Sequence, residues 1–181
     1  MYYMMICQDP EKGYLATLDY DFSEDEDPMR DWMAGERFEI PPPEPVRAII
    51  EPRTNTVLAE MWQVPLPIMS RRLHDALLSA GVSNLDVFPA KLEEKRGGKV
   101  HEDFVAFNIV GLISAAKAKA RSADDVLIQG VDLDQSRAGG ALMFRLAESV
   151  NAIVVHESVK RRVEELGITT MTFLSPEDWT G

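Results

Sequence analysis

Carboxylates are the residues of this chain whose number and spacing could do chemistry. Asp19, Asp21, Glu24, Asp25, Glu26, Asp27 and Asp31 lie within thirteen residues, with Arg30 the only base among them. Like charges so close cannot pack against one another, so the passage is expected as a solvated loop. Its functional reading is a docking surface for a basic partner, since complementary charge speeds and orients association. Its plainer reading is a tolerated acidic loop. A calcium loop is a third reading, but the oxygens lack the regular alternation and central glycine of the best-known calcium loop. Asp124 and Asp125 form a second, smaller acidic point. They, or Asp132 and Asp134, could chelate a metal, although neighbouring carboxylates are common in loops.

Other constellations fall short of a reaction. His74, His101 and His156 are far apart and form no His-x-x-x-His or His-Glu-x-x-His pattern, so a sequence-local zinc site is missing. His74 and His156 read as surface or capping residues. Cys7, at the end of an apolar strand, would need a base and a group to orient it before acting as a nucleophile. Gly97-Gly98-Lys99 resembles a fragment of a phosphate loop, but no helix follows, so it reads as a hairpin turn. An enzyme built on this chain would assemble its site from distant residues such as His101, Asp132 and Glu148. A third reading is an accessory subunit of a secretion apparatus. No cofactor or metal is expected.

Composition narrows the classes. Nineteen basic against thirty acidic residues give a net charge of −11 over 181 residues. That argues against nucleic-acid binding, which needs a basic footprint, and it permits a basic protein partner. A hydrophobic fraction of 45 % can fill a substantial core. One cysteine excludes an intramolecular disulfide and fits a reducing compartment. The N-terminus is too short for a signal-peptide core and has no basic segment, and no apolar run is long enough to span a bilayer. A cytoplasmic protein is expected.

The elements that must position these residues are mostly strands. Tyr2 to Ile6, Tyr14 to Tyr20, Val46 to Glu51 and Thr56 to Trp62 read as strands, and Pro41-Pro42-Pro43-Glu44-Pro45 as a stiff connector. Leu85 to Phe88 and Ala90 to Glu94 follow, then a turn at 95–99 and a returning strand, Val100 to Val110. Residues 113–121 are ambiguous between helix and strand, and Val126 to Leu133 is a strand candidate. Two stretches resemble each other. Ile68, Leu73, Leu77, Gly81, Val82 and Leu85 align at an offset of 86 with Val154, Val159, Val163, Gly167, Ile168 and Met171. Each stretch has an apolar face at helical spacing, a glycine stop and flanking strand signals. The expectation is one domain, 1–181, with a strand-rich N-terminal appendage at 1–45 carrying the acidic loop and a core at 46–179. Its class is α+β, with mixed or antiparallel sheets in the N-terminal two-thirds and similar strand–helix–strand units at about 68–89 and 154–176.

These residues also carry a resemblance. Leu142-Met143-Phe144-Arg145-Leu146-Ala147-Glu148, then Ile153-Val154-Val155, an amphipathic helix, Gly167-Ile168, Phe173 and Pro176-Glu177-Asp178-Trp179, is similar to the C-terminal signature of a bacterial immunity-protein family. That family was first catalogued as a domain of unknown function and later assigned to polymorphic-toxin and contact-dependent competition systems. Met69-Ser70-Arg71-Arg72-Leu73, Gly81, Asn84-Leu85, Phe88-Pro89 and Phe104-Val105-Ala106-Phe107-Asn108-Ile109 fit as well, so the resemblance covers Trp32 to Trp179. Where the family often has an acidic residue and an aspartate-containing turn, this chain has Ser114-Ala115-Ala116-Lys117. The resemblance implies a non-enzyme that binds and blocks a cognate toxin, possibly a nuclease. With the charge, it points to Asp19, Asp21, Glu24, Asp25, Glu26, Asp27 and Asp31, and secondarily Asp124 and Asp125, as partner-binding residues. Arg145 and Glu148 are read as a structural charge pair near the core.

Overall fold

Ser70 and His156 start the two helices, and two glycines end them. The computed structural model describes residues 1–21, 27, 30–117 and 130–180. The described strands and helices, in order, are β1 (Tyr2–Cys7), β2 (Tyr14–Leu15), β3 (Thr17–Asp19), β4 (Val46–Glu51), β5 (Thr56–Val57), β6 (Met61–Trp62), β7 (Ile68–Ser70), α1 (Arg71–Ser79), β8 (Leu85–Glu94), β9 (Val100–Ile109), β10 (Leu112–Ile113), β11 (Met143–Leu146), β12 (Ser149–His156), α2 (Glu157–Glu165) and β13 (Met171–Leu174). The Ser70 hydroxyl accepts the Leu73 N–H, and the His156 ring accepts the Ser158 N–H. Gly81 and Gly167 hold φ of 94° and 66°, the left-handed conformation that closes a helix C-terminus. The class is α+β with mixed sheets.

Sheet order explains the sequence echo. One sheet runs β3-β4-β8-β9-β7-β6 and the other β10-β11-β12-β1-β13; a two-stranded sheet pairs β2 with β5. In the first, β7 and β8 both pair antiparallel with β9 between them. In the second, β12 and β13 both pair antiparallel with β1 between them. The registers correspond. Ile68 opposite Ala106 matches Val154 opposite Met4, and Leu85 opposite Ile109 matches Met171 opposite Cys7. Met61 opposite Met69 matches Met143 opposite Val155. The loop bonds follow: Val82 N–H to Leu77 O matches Ile168 N–H to Val163 O, and Val110 N–H to Asn84 O matches Gln8 N–H to Thr170 O. The chain therefore builds one four-stranded, one-helix unit twice. In the second copy the central strand comes from the other end of the sequence.

The helices pack together and close the space between the units. Leu73, Ala76 and Leu77 of α1 and Val159 and Val163 of α2 share one core with Met5, Met69, Val105, Phe107, Ile153 and Val155. Each fully buried leucine contributes about 2 kcal/mol. Arg72 of α1 donates to the Leu166 and Gly167 carbonyls at 2.6 and 3.1 Å, satisfying acceptors that α2 leaves open at its end. Arg162 of α2 donates to Ser79 Oγ at 2.8 Å. The reverse sheet faces carry two further cores, one around Ile50, Leu66, Leu92 and Trp32, the other around Met4, Phe144, Val154 and Trp179.

Four expectations change. Residues 2–7, expected in an appendage, lie inside the five-stranded sheet, because β1 supplies the central strand that β12 and β13 need. Tyr14 to Tyr20 is two strands in two sheets, parted at Ala16, which is buried and accepts the Trp62 indole N–H at 2.8 Å. Thr56 to Trp62 likewise divides into β5 and β6. Conversely, Pro89 does not end a strand. β8 runs through it, and β4 joins only at Ala90, so a single ladder passes the proline. Much of the ambiguous stretch at 113–121 and of the strand candidate Val126 to Leu133 lies outside the described residues.

Candidate partner-binding surface

The acidic residues expected to act together are described only in part. Asp19 ends β3, where its carboxylate accepts the Tyr20 N–H at 2.9 Å. Asp31 accepts the Met33 N–H at 2.8 Å. Asp27 and Asp31 line a hollow of about 260 Å³ with Arg30 and Phe38, and Asp19 is not part of it. Asp21 is exposed. Glu24, Asp25, Glu26, Asp124 and Asp125 lie outside the described residues.

The residues of a dispersed enzyme site are each engaged separately. His101 Nε2 lies 2.9 Å from Glu94 near the turn of the β8–β9 hairpin. Asp132 pairs with Lys117 at 3.1 Å, and Glu148 accepts from Ser114 Oγ at 2.5 Å. Eight residues of strand, about 26 Å at the ordinary rise, part His101 from Ile109, which leads to that second region. Asp134 caps the turn at Gln135–Ala138 through the Ser136 N–H and hydroxyl, and these bonds hold its carboxyl below the usual range. Burial pushes the Cys7 thiol up, and its hydrogen-bonding neighbours are Thr170 and the backbone of Met61 and Glu60. Among the described residues no three His, Cys, Asp or Glu side chains gather as metal ligands. No described helix is long and apolar enough to cross a membrane.

The expected Arg145–Glu148 charge pair is not formed. Arg145 is fully buried and donates to Gln63 Oε1 at 2.9 Å and the Val150 carbonyl at 2.6 Å, while Glu148 bonds Ser114. Nε and Nη2 of Arg145 have no hydrogen-bond partner among the described residues. Desolvation lowers its pKa to about 10, and the field of Asp31 opposes this. Gln63 and Arg145 directly follow or lie in equivalent strands, β6 and β11, so their bond joins the two units at matching positions.

The broad feature that remains is a half-sheet that no described helix covers. Along β4, Val46, Ala48 and Ile50 are buried, while Arg47 and Ile49 are exposed and Glu51 is half-buried on the opposite face. The register extends this open face: Asp19 pairs with Ile49, Ile49 with Glu93, and Glu93 with Val100. Ile49 is 40 % and Val100 46 % exposed. A register shift sets two residues, Glu102 and Asp103, opposite Lys91, and such bulges re-aim side chains. Lys91 binds Glu102 at 2.5 Å, and Lys95 binds Glu51. Those lysines hold both carboxyls below the usual range. Five carboxylates (Asp19, Glu51, Glu93, Glu102, Asp103) thus stand beside Arg47, Lys91 and Lys95, and Arg53 and Arg96 add positive charge close enough to lower the Glu51 carboxyl further. At the margin, Tyr14, Leu15 and Thr17 line a hollow of about 560 Å³ with the charged Asp9, Glu51 and Arg53.

Of this face, only Asp19 was among the expected site residues. A signal was present: alternation along Val46–Glu51 sets Ile49 between Arg47 and Glu51, an aliphatic residue on a charged face. Compared with known proteins, the chain matches no protein-family model and no curated protein.

Proposed function

We propose that this chain is an immunity protein: it binds a cognate bacterial toxin in the cytoplasm and neutralises it by stoichiometric occlusion rather than by catalysis. The observation that carries this reading is the exposed half-sheet, a densely charged surface with Ile49 and Val100 at its centre. Protein interfaces combine such an apolar centre with a charged rim. The net charge of −11 favours a toxin with a basic surface, of which a nucleic-acid groove is one instance. The ordered resemblance from Trp32 to Trp179 supports the same class.

Affinity capture from native lysate at low and high salt tests it, followed by co-expression with the captured protein. One basic partner, toxic alone and harmless in a 1:1 complex with this chain, is the expected result. A captured partner whose toxicity persists in the presence of this chain overturns the reading. Replacing Glu24, Asp25, Glu26 and Asp27 together by Ser is expected to weaken protection while leaving the urea midpoint unchanged.

A further inference from the structure

The second unit is closed by a strand that no hairpin ties to it. In the first unit, β9 lies between β7 and β8 and is joined to β8 by the turn at 95–99. In the second, β1 holds the same place between β12 and β13, strands from the other end of the sequence. Contacts alone keep it there, and they are specific. Tyr2, Met4 and Ile6 pack into one core, and Tyr3, Met5 and Cys7 into another. Met4 and Met5 are fully buried. The Tyr2 ring meets Phe144 and His156 edge-on, with centroids 5.8 and 5.3 Å apart, and the Lys160 ammonium lies 5.3 Å from the centre of the Tyr3 ring. An empty slot would open both cores and strip β12 and β13 of the ladder between them, so the slot demands an occupant.

We infer that β1 is an exchangeable strand: a second copy of this chain seats its Tyr2–Cys7 between β12 and β13, and the two copies trade strands to form a closed dimer. The slot selects this occupant. It is lined to receive two tyrosines and two methionines in the order that β1 supplies, and a second copy supplies the same order. The path out of β1 permits the trade. Gln8 N–H bonds the Thr170 carbonyl beside the slot, and Tyr14 N–H bonds the Asn55 carbonyl in the turn between β4 and β5. Between these anchors Asp9, Glu11 and Lys12 are exposed, and short hinges of this kind invite exchange of the element they carry. Exchange remakes each contact of β1 across the dimer. Closed monomer and exchanged dimer therefore differ only in the hinge and in bringing together two chains of net charge −11, a repulsion that salt screens.

The test begins with the size of the full chain after refolding from urea in 500 mM NaCl. A short tether gives β1 an effective concentration on the order of 1 mM for its own slot, so about half of the chains should be dimeric after refolding at ~1 mM and about 2 % at ~10 µM. A pair of defective chains then identifies the strand. Met4→Lys spoils β1, and Val154→Lys, opposite Met4 in the register, spoils the slot and leaves β1 intact. Each chain alone is expected to unfold below the wild-type urea midpoint. Refolded together, the Val154→Lys chain lends its β1 to the Met4→Lys chain, and the mixture shows a heterodimer with a transition at the wild-type midpoint that neither chain has alone. Where a single variant precipitates, soluble yield is the readout, and the mixture should raise it several-fold. A wild type that stays monomeric at both concentrations overturns the proposal. So does a mixture that behaves as the sum of its two chains, and so does a Met4→Lys chain with the wild-type midpoint, because the slot would then not depend on β1.

Discussion

Arg145→Ala offers the sharpest test of how the two units are joined. The side chain is fully buried and donates two bonds, to Gln63 and to the Val150 carbonyl. Hydrogen bonds from a charged group contribute about 1.5–3 kcal/mol each, so the pair is worth about 3–6 kcal/mol. Truncating a large core side chain to alanine costs a further 2–5 kcal/mol or so through the cavity. Opposing both is relief from burying a charge: depression from 12.5 to about 10 corresponds to about 3 kcal/mol at 1.36 per pH unit. The net expectation for alanine is a loss of about 2–8 kcal/mol. Arg145→Met keeps most of the volume, so its loss should be about 0–3 kcal/mol; exchanging a buried ion for a packed apolar residue is often nearly neutral. Urea unfolding followed by circular dichroism reads both. At a slope of about 2 kcal/mol per molar, the alanine midpoint falls by about 1–4 M. Gln63→Ala combined with Arg145→Met should cost less than the sum of the two, because they share one bond. An alanine loss below about 1 kcal/mol would refute the packing argument. A methionine variant as damaged as the alanine variant would refute the cavity share of it.

The two helix-ending glycines give a paired prediction. Gly167→Ala should cost about 1 kcal/mol for a left-handed alanine, its new methyl meeting Arg72 Nη2 at an unstrained 3.8 Å. Gly81→Ala should cost about 2 kcal/mol, because φ is 94° and the methyl comes within 3.1 Å of Leu142 Cδ1; urea midpoints would rank them. Cys7 should react with a disulfide reagent at pH 8 more slowly than free cysteine does, with a rate still rising beyond pH 9. The folded chain holds the thiol proton to higher pH than the unfolded chain, so this group's contribution to stability is fully present below the ordinary thiol pKa and is lost as pH rises from there through the raised folded value. Cys7→Ala should flatten that alkaline limb of the urea midpoint.

Local rules made half of each unit legible and hid the other half. Ser70, Leu73, Leu77 and Gly81 mark a helix and its ends by themselves, and their counterparts at 156, 159, 163 and 167 repeat the message at one offset. The central strands do not share that offset. β9 follows β8 through a hairpin, whereas β1 precedes everything it pairs with, so Tyr2–Cys7 reads only as a peripheral apolar strand. The partner of a strand is a long-range fact that no period of two reveals. For the same reason β4 shows its alternation, but its parallel pairing with β8, some forty residues away, is invisible. Arg145 reads as half of an ion pair because a lone buried guanidinium is costly. Its acceptors, an amide and a carbonyl, carry no charge signature in the sequence.

The candidate surface lies where the two units cease to correspond. Within the shared unit every strand face is occupied: one side by the paired helices, the other by the two reverse cores. Beyond it, β8 and β9 run on past Ala90 and Phe104 to their turn, and β3 and β4 join alongside, while β13 ends at Leu174 and turns at Pro176–Asp178. This extension has one lining face, against Trp32, Leu66 and Leu92, and no described helix reaches the other. The duplicated part accounts for stability, since its helices and registers close on themselves. The unduplicated part leaves Ile49 and Val100 in water among carboxylates, an exposure that partner binding would relieve. Lengthening α1 or α2 to cover that half-sheet should therefore raise the unfolding midpoint and abolish toxin binding together. Stabilisation with binding retained would show that the partner docks elsewhere.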